Sequence, residues 1–188
     1  MIHFVHSVNL NEGGVSSSVL ALDKAIRKNG FASSIYTNPT NYQLKGNDNI
    51  GIIAHGLWQW PGSQAMRIHQ KTKLPYLVFP HGMLDPWFKK TYPLKHFKKQ
   101  IYWWFRQGEI LRRANAVCFT TKEERLLAQD TFWPSGFHAV VTGLGVEDPP
   151  PKNFEMEQEL IVKFPVLKKN ESYYIWVVFM RRRVLTYF

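Results

Sequence analysis

The chain has 188 residues, 45% of them apolar, and carries 24 Lys and Arg against 14 Asp and Glu, a formal charge of +10. That length suits one domain with enough apolar side chains for a buried core. The basic balance points to anionic partners such as phosphorylated sugars, anionic lipid or nucleic acid, and no window approaches the 18 apolar residues of a membrane span.

The N-terminal stretch MIHFVHSVNLNEGG lacks the basic region and long apolar run of a signal peptide, so a cytoplasmic protein is expected. Residues 2–8 (IHFVHSV) are apolar and β-branched and predict a first strand. Beyond the turn NLNEGG, Val15, Val19, Leu22 and Ile26 recur at helical spacing, with serines at the helix start and Gly30 past its end. Residues 32–37 (ASSIYT) predict a second strand and 38–49 a polar loop. Residues 50–55 (IGIIAH) predict a third strand and 58–73 a helix. Residues 75–80 (PYLVFP) predict a fourth strand ending at His81, and the loop HGMLDPWFKKTYP leads to one long helix over 94–115. Residues 116–121 (AVCFTT) predict a fifth strand, 122–132 a helix and 137–143 (FHAVVTG) a sixth strand. Cys118, the one cysteine, excludes an internal disulfide framework, fits a reducing compartment and reads as a buried strand residue. The triple proline in VEDPPPKN marks a linker.

Alternation of short strands and helices predicts an α/β fold with a doubly wound, Rossmann-like parallel sheet. Ligands in such sheets sit outside the carboxyl ends of the strands. Three candidate sites fall there. Gly13 and Gly14, followed by Val15, let backbone approach an anion at a helix start, or simply make a tight turn. This is neither G-x-G-x-x-G nor a phosphate-binding P-loop, so nicotinamide and ATPase readings lack support. His55 in AHGLW and His81 in HGMLDPW end the third and fourth strands; each either faces a ligand or caps its strand. Asp85 with Pro86 reads as a turn. His3, His6, His69, His96 and His138 are scattered without metal-ligand spacing, and no metal site is expected.

These segments together resemble the family 4 glycosyltransferases. GGVSSSVLALDKAIRKNG resembles their glycine-rich loop and first helix, IIAHGLW and VFPHGMLDPW their third and fourth strand ends, LRRANAVCFTTKEE the next strand start, and VTGLGVEDP the approach to the interdomain linker. The resemblance covers roughly residues 1–170. It implies the N-terminal, acceptor-side domain of a two-domain, B-type enzyme. Such an enzyme moves a sugar, with retention, from a nucleotide-sugar to a glycan or lipid-linked acceptor, usually without a metal or other cofactor. It further implies that Gly13, Gly14 and Val15 lie beside the donor diphosphate and acceptor. His81 would contact the transferred sugar, with His55, Trp58 and Asp85 on the acceptor side. The family holds the nucleotide with a second domain, so this chain alone is expected to be inactive. A role in building a bacterial-type surface polysaccharide follows from the family alone.

The expected division is a domain over 1–148, a linker and second-domain start over 149–175, and an unrelated tail over 176–188 (WVVFMRRRVLTYF). Permitted codons for that tail, read one frame over, spell LGRIHEKKGVDL, which resembles the opening of the family's second domain. A frameshifted gene is the expectation, with a separately encoded C-terminal domain as a partner. Lys89, Lys90, Lys95, Lys98 and Lys99 lead into IYWWFRQGEILRRAN, where Phe97, Ile101, Trp104 and Phe105 share a helical face. A basic helix carrying Trp and Phe suits the surface of an anionic bilayer, giving a peripheral protein at the inner face. The plainer alternative is a crossover helix with its aromatics in the core. Binding to nucleic acid is not expected, since no such motif appears. Two further readings stay open: a non-catalytic module that docks on a separate donor domain, and a basic membrane-surface or nucleic-acid-binding protein.

Overall fold

The computed structural model describes residues 1–12, 14–40, 42, 50–145 and 154–163. The chain divides into two compact units, Met1–Val146 and Glu147–Phe188. In the second, the described residues form one helix, Phe154–Lys163. The expected linker residues 146–153 and the tail over 176–188 lie outside the described residues.

The first unit is built on strands β1 (Ile2–Phe4), β2 (Ser34–Tyr36), β3 (Ile52–His55), β4 (Tyr76–Phe79), β5 (Ala116–Phe119) and β6 (Ala139–Val141). They form one parallel sheet in the order β2-β1-β3-β4-β5-β6. The Rossmann-like α/β expectation therefore holds. Strands are shorter than the apolar runs suggested because pairing, rather than propensity, sets their ends: β1 stops where its three-residue neighbour β2 stops.

The order reverses between β1 and β3. Right-handed crossovers then put helix α1 (Gly14–Lys28) on one face of the sheet. On the other lie α2 (Trp60–Thr72), α5 (Gly108–Arg113) and α6 (Lys122–Gln129). Side chains alternate along each strand accordingly. Ile2, Phe4, Ile52, Ala54, Tyr76, Val78, Val117 and Phe119 meet Ala65, Ile68, Trp103, Ile110, Leu111 and Ala128 in the larger core. Ile53, Phe79, Ala116 and Cys118 form a smaller cluster with Leu22 of α1. Cys118 is buried, and that burial pushes its thiol up.

The helix expected over 94–115 is present, but it is not regular throughout. The loop before it contains α3 (Trp87–Thr91), and the helix itself is α4 (Pro93–Tyr102), one π-helical turn (Trp103–Gln107) and α5. Gly108 makes the π turn possible. Its N–H donates to the Trp103 carbonyl, and a Cβ there would lie 2.8 Å from that oxygen and 2.9 Å from the Trp103 indole nitrogen. The wider turn sends Trp103 fully into the core, where its indole N–H donates to the Pro134 carbonyl at 2.8 Å.

Candidate functional site

The carboxyl ends of β3 and β4 lie side by side, since His55 pairs with Phe79. Both leave the sheet through left-handed backbone. After β3, Gly56 has φ 80° and Trp58 φ 68°; after β4, His81 has φ 52° and Gly82 φ 78°. Two non-glycine residues with positive φ at adjacent strand ends are backbone strain of the kind that gathers at functional sites.

The surrounding structure holds these turns. The Gly56 N–H donates to the Phe79 carbonyl at 2.8 Å, and the Trp58 N–H donates to Gln107 Oε1 at 3.0 Å. Gln107 is buried and reaches Trp58 because the π turn ends on it. On the β4 side, Glu124 Oε1 accepts from the Gly82 N–H at 2.8 Å. Its Oε2 accepts from the Thr120 N–H at 2.8 Å and from the Thr120 hydroxyl at 2.6 Å. The Thr121 hydroxyl accepts from the Glu124 N–H, capping α6.

Three histidines form a row on the α1 face of the sheet. His3 Nδ1 lies 3.0 Å from His55 Nε2, and His55 Nδ1 lies 3.0 Å from His81 Nε2. The ring planes are near-parallel, 12° and 27° apart, with centroids 5.3 Å apart in both pairs, and the Phe79 ring lies alongside His55 and His81. His3 and His55 are buried and His81 is half-buried. Burial pushes His3 and His81 down to about 4 and His55 well below its usual range. The rings run in line rather than converging on a point, and among the described residues no group of His, Cys, Asp and Glu could hold a metal ion.

Beside this loop is a cavity of about 230 Å³, lined by Met83, Asp85, Phe88, Tyr92, Lys95, His96, Lys99, Thr131 and Phe132. Lys99 Nζ sits 4.7 Å from the Trp58 ring centroid and 5.4 Å from that of Phe88; Lys95 Nζ sits 4.8 Å from Tyr92. His96 stacks on Phe132 at 4.5 Å. Ammonium, carboxylate and aromatic faces around one cavity suit a polar ligand with ring faces to stack.

That site lies on β3, β4 and β5 and the helices between them, and the family comparison falls on the same elements. Residues 52–143 match the glycosyl transferase 4-like domain. No curated protein and no solved structure gives a significant match. The glycosyl transferase 4-like segment spans just under half the chain, from the first residue of β3 to just past β6.

Within that segment the expected site residues separate. His81 and Asp85 share the loop after β4, with Asp85 on the cavity wall. His55, expected on the acceptor side, is 2% exposed and both its ring nitrogens meet other histidines. Trp58 is half-buried and packs on Tyr102, Trp103 and Phe132, touching the site through Lys99. The five lysines are not one solvated group. Lys99 is half-buried against the Trp58 ring; Lys95 lies over Tyr92 but is exposed, as are Lys89, Lys90 and Lys98. The alternative of a crossover helix with core aromatics fits only in part. Trp103 is core, but Phe97, Trp104 and Phe105 are exposed, as is Leu94.

Outside the segment, Gly14 opens α1, and a Cβ there would meet nothing within 4 Å. Val15 is half-buried, and Gly13 lies outside the described residues. Sequence reasoning missed Glu124, Gln107 and the place of His3. Thr121-x-x-Glu124 is a capping-box pattern that could have singled out Glu124. Nothing local marks Gln107. His3 looked scattered because only the strand order sets β1 beside β3.

Proposed function

We propose that this chain is the acceptor-side domain of a retaining glycosyltransferase. It would move a sugar from a nucleotide-sugar to a glycan or lipid-linked acceptor, with no cofactor beyond that donor. The observation that carries the reading is the coincidence of the glycosyl transferase 4-like segment with a strained strand-end loop bearing His81 and an aromatic, lysine-bearing cavity beside it. In this reading the cavity takes the acceptor, with Asp85 and Lys99 as its polar anchors, and His81 meets the transferred sugar. Gly14 leaves open space at the start of α1 for a diphosphate. A second domain, part of the same enzyme or separately encoded, holds the nucleotide. Without it the orientation contribution of about 7–11 kcal/mol is missing, and the chain alone turns over no donor.

The test is binding to an array of surface-polysaccharide oligosaccharides and short lipid-linked sugars. Retention of at least one ligand is expected, lost in Lys99→Gln and weakened in His81→Ala with the fold intact. Binding of no saccharide or lipid-linked sugar by the wild-type chain overturns the proposal.

Peripheral attachment to an anionic membrane has its own support. Leu94, Phe97 and Phe105 are 81%, 59% and 79% exposed on the stretch that carries exposed Lys98. Among the described residues no helix is long and apolar enough to cross a membrane, so contact here is by insertion of side chains at the surface. Vesicles of phosphatidylglycerol should sediment the protein at low salt and those of phosphatidylcholine should not. Equal behaviour with both removes this reading.

A further inference from the structure

The histidine row has a direction, and its far end reveals it. At neutral pH burial keeps all three rings neutral, so each carries one N–H and one lone pair. Each of the two 3.0 Å contacts needs one donor and one acceptor. The choice made at His3 therefore propagates through His55 to His81. Either every ring has its proton on Nε2 or every ring has it on Nδ1.

His3 Nε2 is buried without a hydrogen-bond partner; Asp23 on α1 has Oδ1 buried, and against the cost of that burial Arg27 and the Ser33 hydroxyl hold its carboxyl low. The two side chains feel each other's charge. The other carboxylate oxygen, Asp23 Oδ2, accepts from Arg27 Nε at 2.8 Å, which keeps Asp23 ionised. The negative charge of the Asp23 carboxylate, acting through space, favours an N–H over a bare lone pair at the unpartnered ring nitrogen of His3. Arg27 and the N-terminal ammonium also act on His3, both against added positive charge, so the ring stays neutral while its single proton turns toward the carboxylate. With the proton on His3 Nε2, His3 Nδ1 accepts from His55 Nε2–H, and His55 Nδ1 accepts from His81 Nε2–H. The remaining nitrogen, His81 Nδ1, makes no hydrogen bond among the described residues. The charge of Glu124, which holds the neighbouring Gly82 N–H, also acts on His81.

We propose that Asp23, His3 and His55 are positioning residues that fix His81 as its Nε2–H tautomer, presenting Nδ1 as a lone-pair acceptor for a sugar hydroxyl. The sugar in that statement rests on the function proposed above; the tautomer does not. Histidines His3 and His55 flank the β1/β3 switch point of the sheet, the place where doubly wound folds bind ligands. The relay also joins the glycosyl transferase 4-like segment to two residues outside it, His3 and Asp23.

Long-range proton–nitrogen correlation spectra of the 15N-histidine-labelled chain at neutral pH read the tautomers directly. The expected result is a protonated Nε2 and a bare Nδ1 at His3, His55 and His81. Asp23→Asn removes the charge that favours the proton on His3 Nε2, and the His81 signal should shift toward the Nδ1–H form. His55→Phe cuts the row and should release His81 to a mixture. A protonated Nδ1 at His81 in the wild-type chain overturns the proposal, without any variant needing to fold. So does an unchanged His81 tautomer in folded Asp23→Asn. Failure to bind saccharides with these tautomers in place would instead remove the proposed function and leave the relay standing.

Discussion

The two faces of the sheet are packed in different currencies. One face carries Trp103, Tyr76, Phe4, Phe119 and a dense set of aliphatics beneath three helices. The other carries a short apolar cluster, the histidine row and, among the described residues, one covering helix. Both follow from the same alternation along the same strands: Ile52 and Ala54 point one way, Ile53 and His55 the other. The lesson is that the dense core and the histidine row alternate along the same strands, so neighbours in sequence should respond to opposite perturbations.

The largest effect should come from the dense face. Trp103→Ala removes a fully buried indole and its bond to Pro134, and should lower unfolding free energy by about 3–5 kcal/mol in urea titration. A loss below about 1 kcal/mol would mean that the core does not depend on the π turn. Next comes the link between faces. Glu124→Gln replaces an acceptor that serves Gly82 and Thr120, and should cost about 1.5–3 kcal/mol while loosening the His81 loop. Faster hydrogen exchange at Gly82 than at core strand amides checks this.

Acid should act most strongly on the histidine face. The folded values of His3 and His81, about 4, lie below the unfolded value near 6.5. Between those values the unfolded chain binds more protons than the folded one. Full stability thus holds above about pH 6.5 and is lost as pH falls toward 4, with a drop of roughly 2 kcal/mol per ring by pH 5. The urea midpoint should fall over this range, and less so in His3→Gln. A flat profile would show that these rings are hydrated in solution. The smallest effect belongs to Gly14→Val, which has open space and should change stability by no more than about 0.5 kcal/mol. Its role would show only in ligand binding.

The dense face was legible in the sequence, and the other face only in part. Apolar runs such as PYLVFP and AVCFTT predicted strands because alternation is local. His81 and His55 stood out because they end such runs. The row itself could not be read, since it depends on β1 lying beside β3 across some fifty residues of chain. The π turn escaped for a related reason: the spacing of Phe97, Ile101 and Trp104 is good α-helical periodicity, and only Gly108 hints that the register changes. The lysines read as one group because their count is visible in sequence while the rings they meet are not.

The left-handed backbone at Trp58 and His81 has a consequence for how this loop pair would change under selection. A side chain in that conformation costs roughly 1–2 kcal/mol that glycine would not. Selection for heat resistance alone would therefore drift toward Gly or Asn at both positions, and thermostable variants should accumulate there early. Recovery of such variants with ligand binding lost would mark 58 and 81 as places where the protein keeps a less stable residue for the sake of its work.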